Sequence, residues 1–318
     1  MGFFLMMTSF KTNITCILTD VRCWIVLLFL VRLIGITNPP ADVSHNWRQS
    51  TVTMVARNFY EGNQNFLYPT LDFGGERNGI APMEAPILNY SIYLVSELFG
   101  YKHWYGRLIN LLISSIGVWY FFKMLRLKFD KKIAFYASVI LLFSVWFTFS
   151  RKIMPDTFAC SLALIGLYHG IQFFNRDKKI KDLSLYFFFV MIGVAAKLPV
   201  GFYLFILAPI MIKNIKNWKP ILLFTLVSFI AIIPSFLWYF VWNPHLMETY
   251  SFNHFFLGTD FTTGFNELVS EAPQTLSRFY DTALKYTGFL IFLAGFIYAI
   301  IKRKKSALLI FGIGALGF

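Results

Sequence analysis

The chain has 318 residues, 57% of them hydrophobic and 19% aromatic, with only 14% charged. Soluble domains carry about 25% charged residues, and this deficit, with a mean hydropathy of +0.59, excludes a disordered chain and a water-soluble enzyme. A net charge of +13 would suggest nucleic acid in a soluble protein, but the basic residues sit in short clusters between apolar runs. That is the placement of cytoplasmic loops on a multi-pass membrane protein, so no nucleic-acid partner is expected.

In chain order the apolar runs cover 18–36, 108–122, 133–150, 157–174, 183–196, 199–212, 221–242, 286–301 and 307–318. A membrane-spanning helix takes roughly 20 residues, so the pair on either side of Lys197 reads as short, broken or tilted. The expected fold is all-α: one polytopic transmembrane helix bundle over 1–318 with about nine spans. The last run ends without a polar flank, and the expectation is that this chain is a fragment or a C-terminally truncated member of a longer class. Cys16, Cys23 and Cys160 lack metal-ligand spacing and read as packing residues.

Charge sets the orientation. Clusters at 126–132, 176–181, 213–219 and 302–305 all fall on one side if the spans alternate, and the positive-inside rule makes that side the cytoplasm. The N-terminus then lies in the cytoplasm of a plasma-membrane protein. Two long loops, about 37–106 and 243–285, face outward and collect most of the acidic residues.

Long loops in compact proteins are commonly functional, and the first outer loop is patterned. Val52, Val55, Ala56, Phe59 and Tyr60 follow helical spacing, with Gln49, Thr53, Arg57 and Asn58 on the other face and Gly62 at the end. A second helical pattern starts at Pro86 and runs through Ile87, Tyr90, Leu94 and Leu98 to Gly100. Both helices are expected to lie flat at the membrane interface, or simply to cover the bundle. The same loop holds Asp42, His45, Arg48, Arg57, Asp72, Glu76, Arg77 and Glu84; the short outer turns add Arg151, Lys152, Asp156 and Lys197. Carboxylates can take a proton from a hydroxyl or amine and guanidinium groups can hold a phosphate, which suits a reaction on a lipid-linked phosphate ester. Each such residue taken singly is also an ordinary solvated surface group, and for Lys197 the plain alternative is snorkelling to the outer surface.

The order of these features resembles the GT-C membrane glycosyltransferases, the group containing protein O-mannosyltransferases, the lipid A aminoarabinose transferase and related lipopolysaccharide sugar transferases. The resemblance rests on Asp42 ahead of His45-Asn-Trp-Arg-Gln49, then Ala56-Arg-Asn-Phe-Tyr-Glu-Gly62, Glu84-Ala-Pro86, Leu98-Phe-Gly100 with Arg107-Leu, Pro155-Asp156 and Ala196-Lys197-Leu-Pro199. It covers about half the chain. Two departures stand out. The family's Asp-Glu pair after the first span is missing, and an ungapped match at Arg57 puts Arg48 where the Asp belongs. The Lys of the family's Glu-Lys-Pro-Pro, which is thought to hold the lipid phosphate, is Ala85 here.

What the resemblance implies is an inverting sugar transfer from a polyprenyl-phosphate donor to a lipid, glycan or protein acceptor. Asp42 would be the base. Glu84 and Asp156 would position the acceptor or a divalent cation, and Arg48, Arg57, Arg77, Arg151 and Lys197 would bind the phosphate-bearing substrate. The alternative is a transporter or flippase for a lipid-linked saccharide, which would show paired broken helices like those around Lys197.

Overall fold

Backbone N–H and C=O groups in hydrocarbon have no water to pair with, so apolar runs of this kind satisfy themselves as helices. The structure, a computed structural model, describes residues 19–42, 45–62, 64–72, 75, 78–175, 179–250, 261–283, 285–302, 304, 305 and 308. Among them the regular structure is helical, with one isolated bridge between Thr70 and Ile80. The principal helices are α1 (Val21–Leu33), α2 (Asn46–Glu61), α3 (Ile87–Phe99), α4 (Tyr105–Leu125), α5 (Lys131–Phe143), α6 (Pro155–Asn175), α7 (Ile180–Ala196), α8 (Trp218–Leu237), α9 (Phe261–Arg278) and α10 (Lys285–Ile301).

Three helical stretches are long and apolar enough to cross a membrane: α4, α6, and the continuous run Trp218–Tyr250 that begins with α8. Two bent pairs raise this to five: α5 with Val145–Arg151, bent 51°, and Thr262–Thr282 with α10, bent 103°. The expected nine spans are therefore not all present as full-length helices among the described residues. α1 has 13 residues and α7 has 17, and the 198–213 segment is split into a 3-10 stretch, Leu198–Leu207, followed by the short helix Ala208–Lys213. Each falls short of the roughly 20 residues a straight span needs. The run 307–318 lies almost wholly outside the described residues.

α6 forms the centre, with 94% of its most apolar window buried, and packs against α4 and α7. Small residues bring the backbones close, as membrane helices without a hydrophobic driving force between them require. A Cβ at Gly117 of α4 would sit 2.6 Å from Ser161 Cβ of α6, and one at Gly193 of α7 would sit 3.1 Å from the carbonyl oxygen of Ala159. Near the far end of α6, His169 Nδ1 meets Asp182 Oδ1 of α7 at 2.8 Å, so this buried pair is satisfied within the bundle.

The two first-loop helices cover the bundle. Val52 and Ala56 of α2 and Leu88 and Ile92 of α3 share one core cluster with Ile153, Phe158, Ala159 and Leu162. α2 starts at Asn46, several residues ahead of its apolar stripe, and ends at Gly62. α3 begins after Pro86 and stops at Gly100, whose φ of 74° favours glycine. One detail of the expected polarity is wrong: Gln49 and Thr53 are buried, 1% and 7% exposed. Thr53 Oγ1 donates to the Gln49 carbonyl, and the Gln49 side-chain oxygen accepts from the Ile153 backbone N–H, so both polar groups find partners inside.

Candidate active site

Four separate chain segments converge on one charged cluster at the end of the bundle where α6 begins. Arg48 comes from the first turn of α2, and Glu84 from a bend in the non-helical segment before α3. Asp156 stands in the first turn of α6, where the helix dipole favours a carboxylate. Lys197 occupies the break between α7 and the following 3-10 stretch, in extended conformation (φ −156°, ψ 102°).

Glu84 is the hub. Its Oε2 accepts from Arg48 Nη2, and its Oε1 accepts from Lys197 Nζ at 2.6 Å. Lys197 Nζ also lies 3.2 Å from Asp156 Oδ1. The side chains of Arg48, Glu84 and Lys197 are 18%, 10% and 22% exposed, so water screens these contacts less than surface pairs. Burial lowers the Arg48 pKa from its usual value, partly opposed by the negative charge of Asp156. The second oxygen of Asp156 is buried with no hydrogen-bond partner. Two cations and two carboxylates thus balance, and one carboxylate oxygen is left over.

The sequence neighbours of Lys197, Val194-Ala-Ala and Leu198-Pro-Val, offer it no counter-ion. Its two carboxylate partners come from far away in the chain, which is why the neighbouring residues did not reveal them. Glu84 and Asp156, nominated to position the acceptor or a divalent cation, both lie against the Lys197 ammonium. Among the described residues no group of three or more His, Cys, Asp or Glu side chains is placed to hold a metal ion.

The long helical run of α8 fixes the floor. Trp238 Nε1 and Asn243 Nδ2 both donate to the carbonyl of Met83, at 2.8 and 2.9 Å, pinning the residue before Glu84. Asn89 Nδ2 donates to the Val52 carbonyl at 3.0 Å and ties α3 to α2. A small cleft beside the cluster is lined by Arg48, Thr51, Glu84, Asn89 and Pro155, among others. Adjoining it through Ala85 is a much larger apolar cavity of about 530 Å³, whose walls include Ile192, Ala195, Pro234, Leu237 and Trp238 of α7 and the α8 run.

The remaining predicted residues stand elsewhere. Arg57 pairs with Asp72 and lies 3.6 Å from Glu61, while Asn58 Nδ2 donates to Asp72 Oδ1 at 2.7 Å; this cluster braces the first loop. Arg151 Nη2 donates to the Ile34 carbonyl at 2.9 Å, closing the end of α1. Arg77 lies outside the described residues, as does Glu76. Asp42 closes the short 3-10 turn Pro40–Asp42, just before α2; its side chain lies outside what the structure describes. Sequence reasoning missed Gln49, Asn110, Trp238 and Asn243. Gln49, Asn110 and Asn243 are buried polar side chains, a signal visible only as a polar residue out of place, while Trp238 is a buried aromatic in an apolar run and gives no such signal.

Residues 83–238 match the family described as dolichyl-phosphate-mannose-protein mannosyltransferase. The match takes in Glu84, Asp156 and Lys197 and stops short of Asp42 and Arg48. No curated protein and no solved structure matches the chain.

Proposed function

We propose that the chain is a membrane glycosyltransferase of the GT-C superfamily that draws its sugar from a polyprenyl-phosphate donor and transfers it at the outer face of the cytoplasmic membrane, a reading supported by the family match over residues 83–238. The acceptor is a hydroxyl or amine of a lipid, glycan or protein. Asp42 takes the acceptor's proton, the freed lone pair attacks the anomeric carbon, and the bond from that carbon to the phosphate oxygen breaks with inversion. The bonding pair leaves with the polyprenyl phosphate, whose charge is met by Arg48 and Lys197. Glu84 holds those two cations in place, and the unpaired oxygen of Asp156 orients the acceptor.

One observation carries this reading: two cations stand beside an apolar cavity of about 530 Å³. A polyprenyl phosphate has those two parts, an anionic head and a long hydrocarbon tail, and the adjoining sites suit them in turn. A guanidinium and an ammonium also favour a leaving phosphate more as its charge grows, which is what lowers a barrier rather than merely binding substrate. Arg57 and Arg151 serve the loop framework in this account.

Outer-face chemistry, a full set of about nine spans and a cytoplasmic N-terminus go together, and charge distribution supports them. Single cysteines at Asn65 and Asn217, in a variant lacking the native ones, test the arrangement. The cysteine at Asn65 is expected to react with an impermeant thiol reagent in intact cells, and the one at Asn217 only after lysis. Labelling of Asn217 but not Asn65 would invert the topology and remove the outer-face site.

A further inference from the structure

α4 carries two buried polar side chains one turn apart, Arg107 and Asn110, 2% and 0% exposed. Three residues of separation places them on one helix face, yet each serves a different outer segment. Arg107 donates to the carbonyls of Ile36 at 3.1 Å, Pro39 at 3.0 Å, and Asn38. Those carbonyls belong to the stretch that leads directly into the Pro40–Asp42 turn. Asn110 Nδ2 donates to the carbonyls of Lys152 at 2.8 Å and Met154 at 3.1 Å, and its Oδ1 accepts from Thr157 Oγ1 at 3.1 Å. These three partners bracket Asp156.

Gln49 joins the two halves. Its Oε1 accepts from Arg107 Nε and Nη2, both at 3.5 Å, and from the Ile153 backbone N–H at 3.3 Å. It also directly follows Arg48. A buried guanidinium is costly unless its donors are met, and here the rigid fork of N–H groups is matched to three carbonyls of one short segment. Packing alone would be served by an aliphatic side chain. What the polar set adds is a fixed distance between two loops, each carrying an acidic residue within three positions of the clamped carbonyls.

We propose that Arg107, Asn110 and Gln49 are positioning residues that set the spacing between Asp42 and Asp156, Arg107 acting on the Asp42 side and Asn110 on the Asp156 side. The inference rests on the reading above, in which both carboxylates serve the transfer. A misplacement of about 1 Å between reacting groups can cost on the order of 100-fold in rate, so the expected effects are large.

The experiment measures kcat and donor KM, per folded molecule in lipid nanodiscs, for Arg107→Met and Asn110→Leu, each alone and each combined with Asp156→Asn. Alone, each is expected to lower kcat by about 10- to 100-fold while donor KM stays within about twofold. In the Asp156→Asn background, Asn110→Leu is expected to cost less than about twofold more, because what it positions is already gone, while Arg107→Met keeps its full cost. Gln49→Glu retains the accepting oxygen and is expected to keep more activity than Gln49→Leu. General loosening of the fold would move both variants alike, so an equal further loss in the Asp156→Asn background overturns the proposal. So does wild-type kcat for either variant alone. If Arg107→Met does not fold, Arg107→Lys, which keeps the charge and loses the fork, enters the same comparison. Wild-type kcat for Asp156→Asn alone would instead remove Asp156 from the functional reading and the Asn110 half with it, leaving the Arg107 half to be decided by Arg107→Met alone.

Discussion

Asp42→Asn is expected to lower sugar transfer by about 10²- to 10⁴-fold while membrane abundance and donor binding stay unchanged. That is the usual loss when a positioned general base is removed. The competing carboxylates are otherwise engaged. Both oxygens of Glu84 accept from cations, one from Arg48 and one from Lys197, so Glu84 is placed to organise charge rather than to collect a proton. Asp156 shares Lys197 and keeps one oxygen unpartnered, which suits orienting an acceptor. Asp42 stands just after the segment that Arg107 clamps and just before the helix that carries Arg48. The control is Glu84→Gln, assayed in parallel. Should Asp42→Asn keep more than about half the activity while Glu84→Gln loses it, the base has been assigned to the wrong carboxylate.

Lys197→Met is expected to impair donor use by about 10- to 150-fold, the loss of one charge-assisted contact of roughly 1.5 to 3 kcal/mol. The change should appear as a raised donor KM, or as a lowered kcat if the contact tightens when the phosphate departs. Met also leaves Glu84 and Asp156 without the ammonium they share, and a carboxylate stripped of its partner in a half-buried site destabilises the fold. The double variant Lys197→Met with Glu84→Gln separates the two effects. It should recover thermal stability without recovering donor use. Lys197→Arg should retain part of the function, since charge is kept and geometry changes. Donor kinetics equal to wild type for Lys197→Met, at matched membrane abundance, would take Lys197 out of the site.

Much of this was legible in the sequence because membranes restrict the menu of structures. Long apolar runs must be helices, and the stripe at Val52–Val55–Ala56–Phe59 must cover something. The stripe expected at Ile87–Leu94–Leu98 is not the buried one: Leu94 and Leu98 stay exposed and α3 buries Leu88 and Ile92 instead. Arg48, Glu84, Asp156 and Lys197 could be nominated because charged residues beside apolar runs are costly without a purpose. Their partners could not. Lys197 meets Glu84 across 113 positions of chain, and no local pattern encodes that pairing. The same blindness hid the partners of Arg57 and Arg151, which are Asp72 and the Ile34 carbonyl. Hydropathy also counts apolar runs without measuring helix length. The 13 residues of α1 and the 3-10 stretch Leu198–Leu207 look like spans in composition and fall short in rise. Gln49 misled for a related reason: amide polarity says solvent, but Arg107 and the Ile153 N–H supply an interior alternative to water.

The central claim, that this cluster transfers a sugar from a polyprenyl phosphate, is tested most directly by following both products at once. Purified protein in sealed liposomes would receive a polyprenyl-phosphate donor labelled in its sugar, together with a panel of lipid, glycan and peptide acceptors. The account predicts labelled acceptor and free polyprenyl phosphate in equal amounts, with both lost together in Asp42→Asn and strongly reduced in Lys197→Met. Movement of intact labelled donor across the bilayer, with no polyprenyl phosphate released on any acceptor, would contradict it.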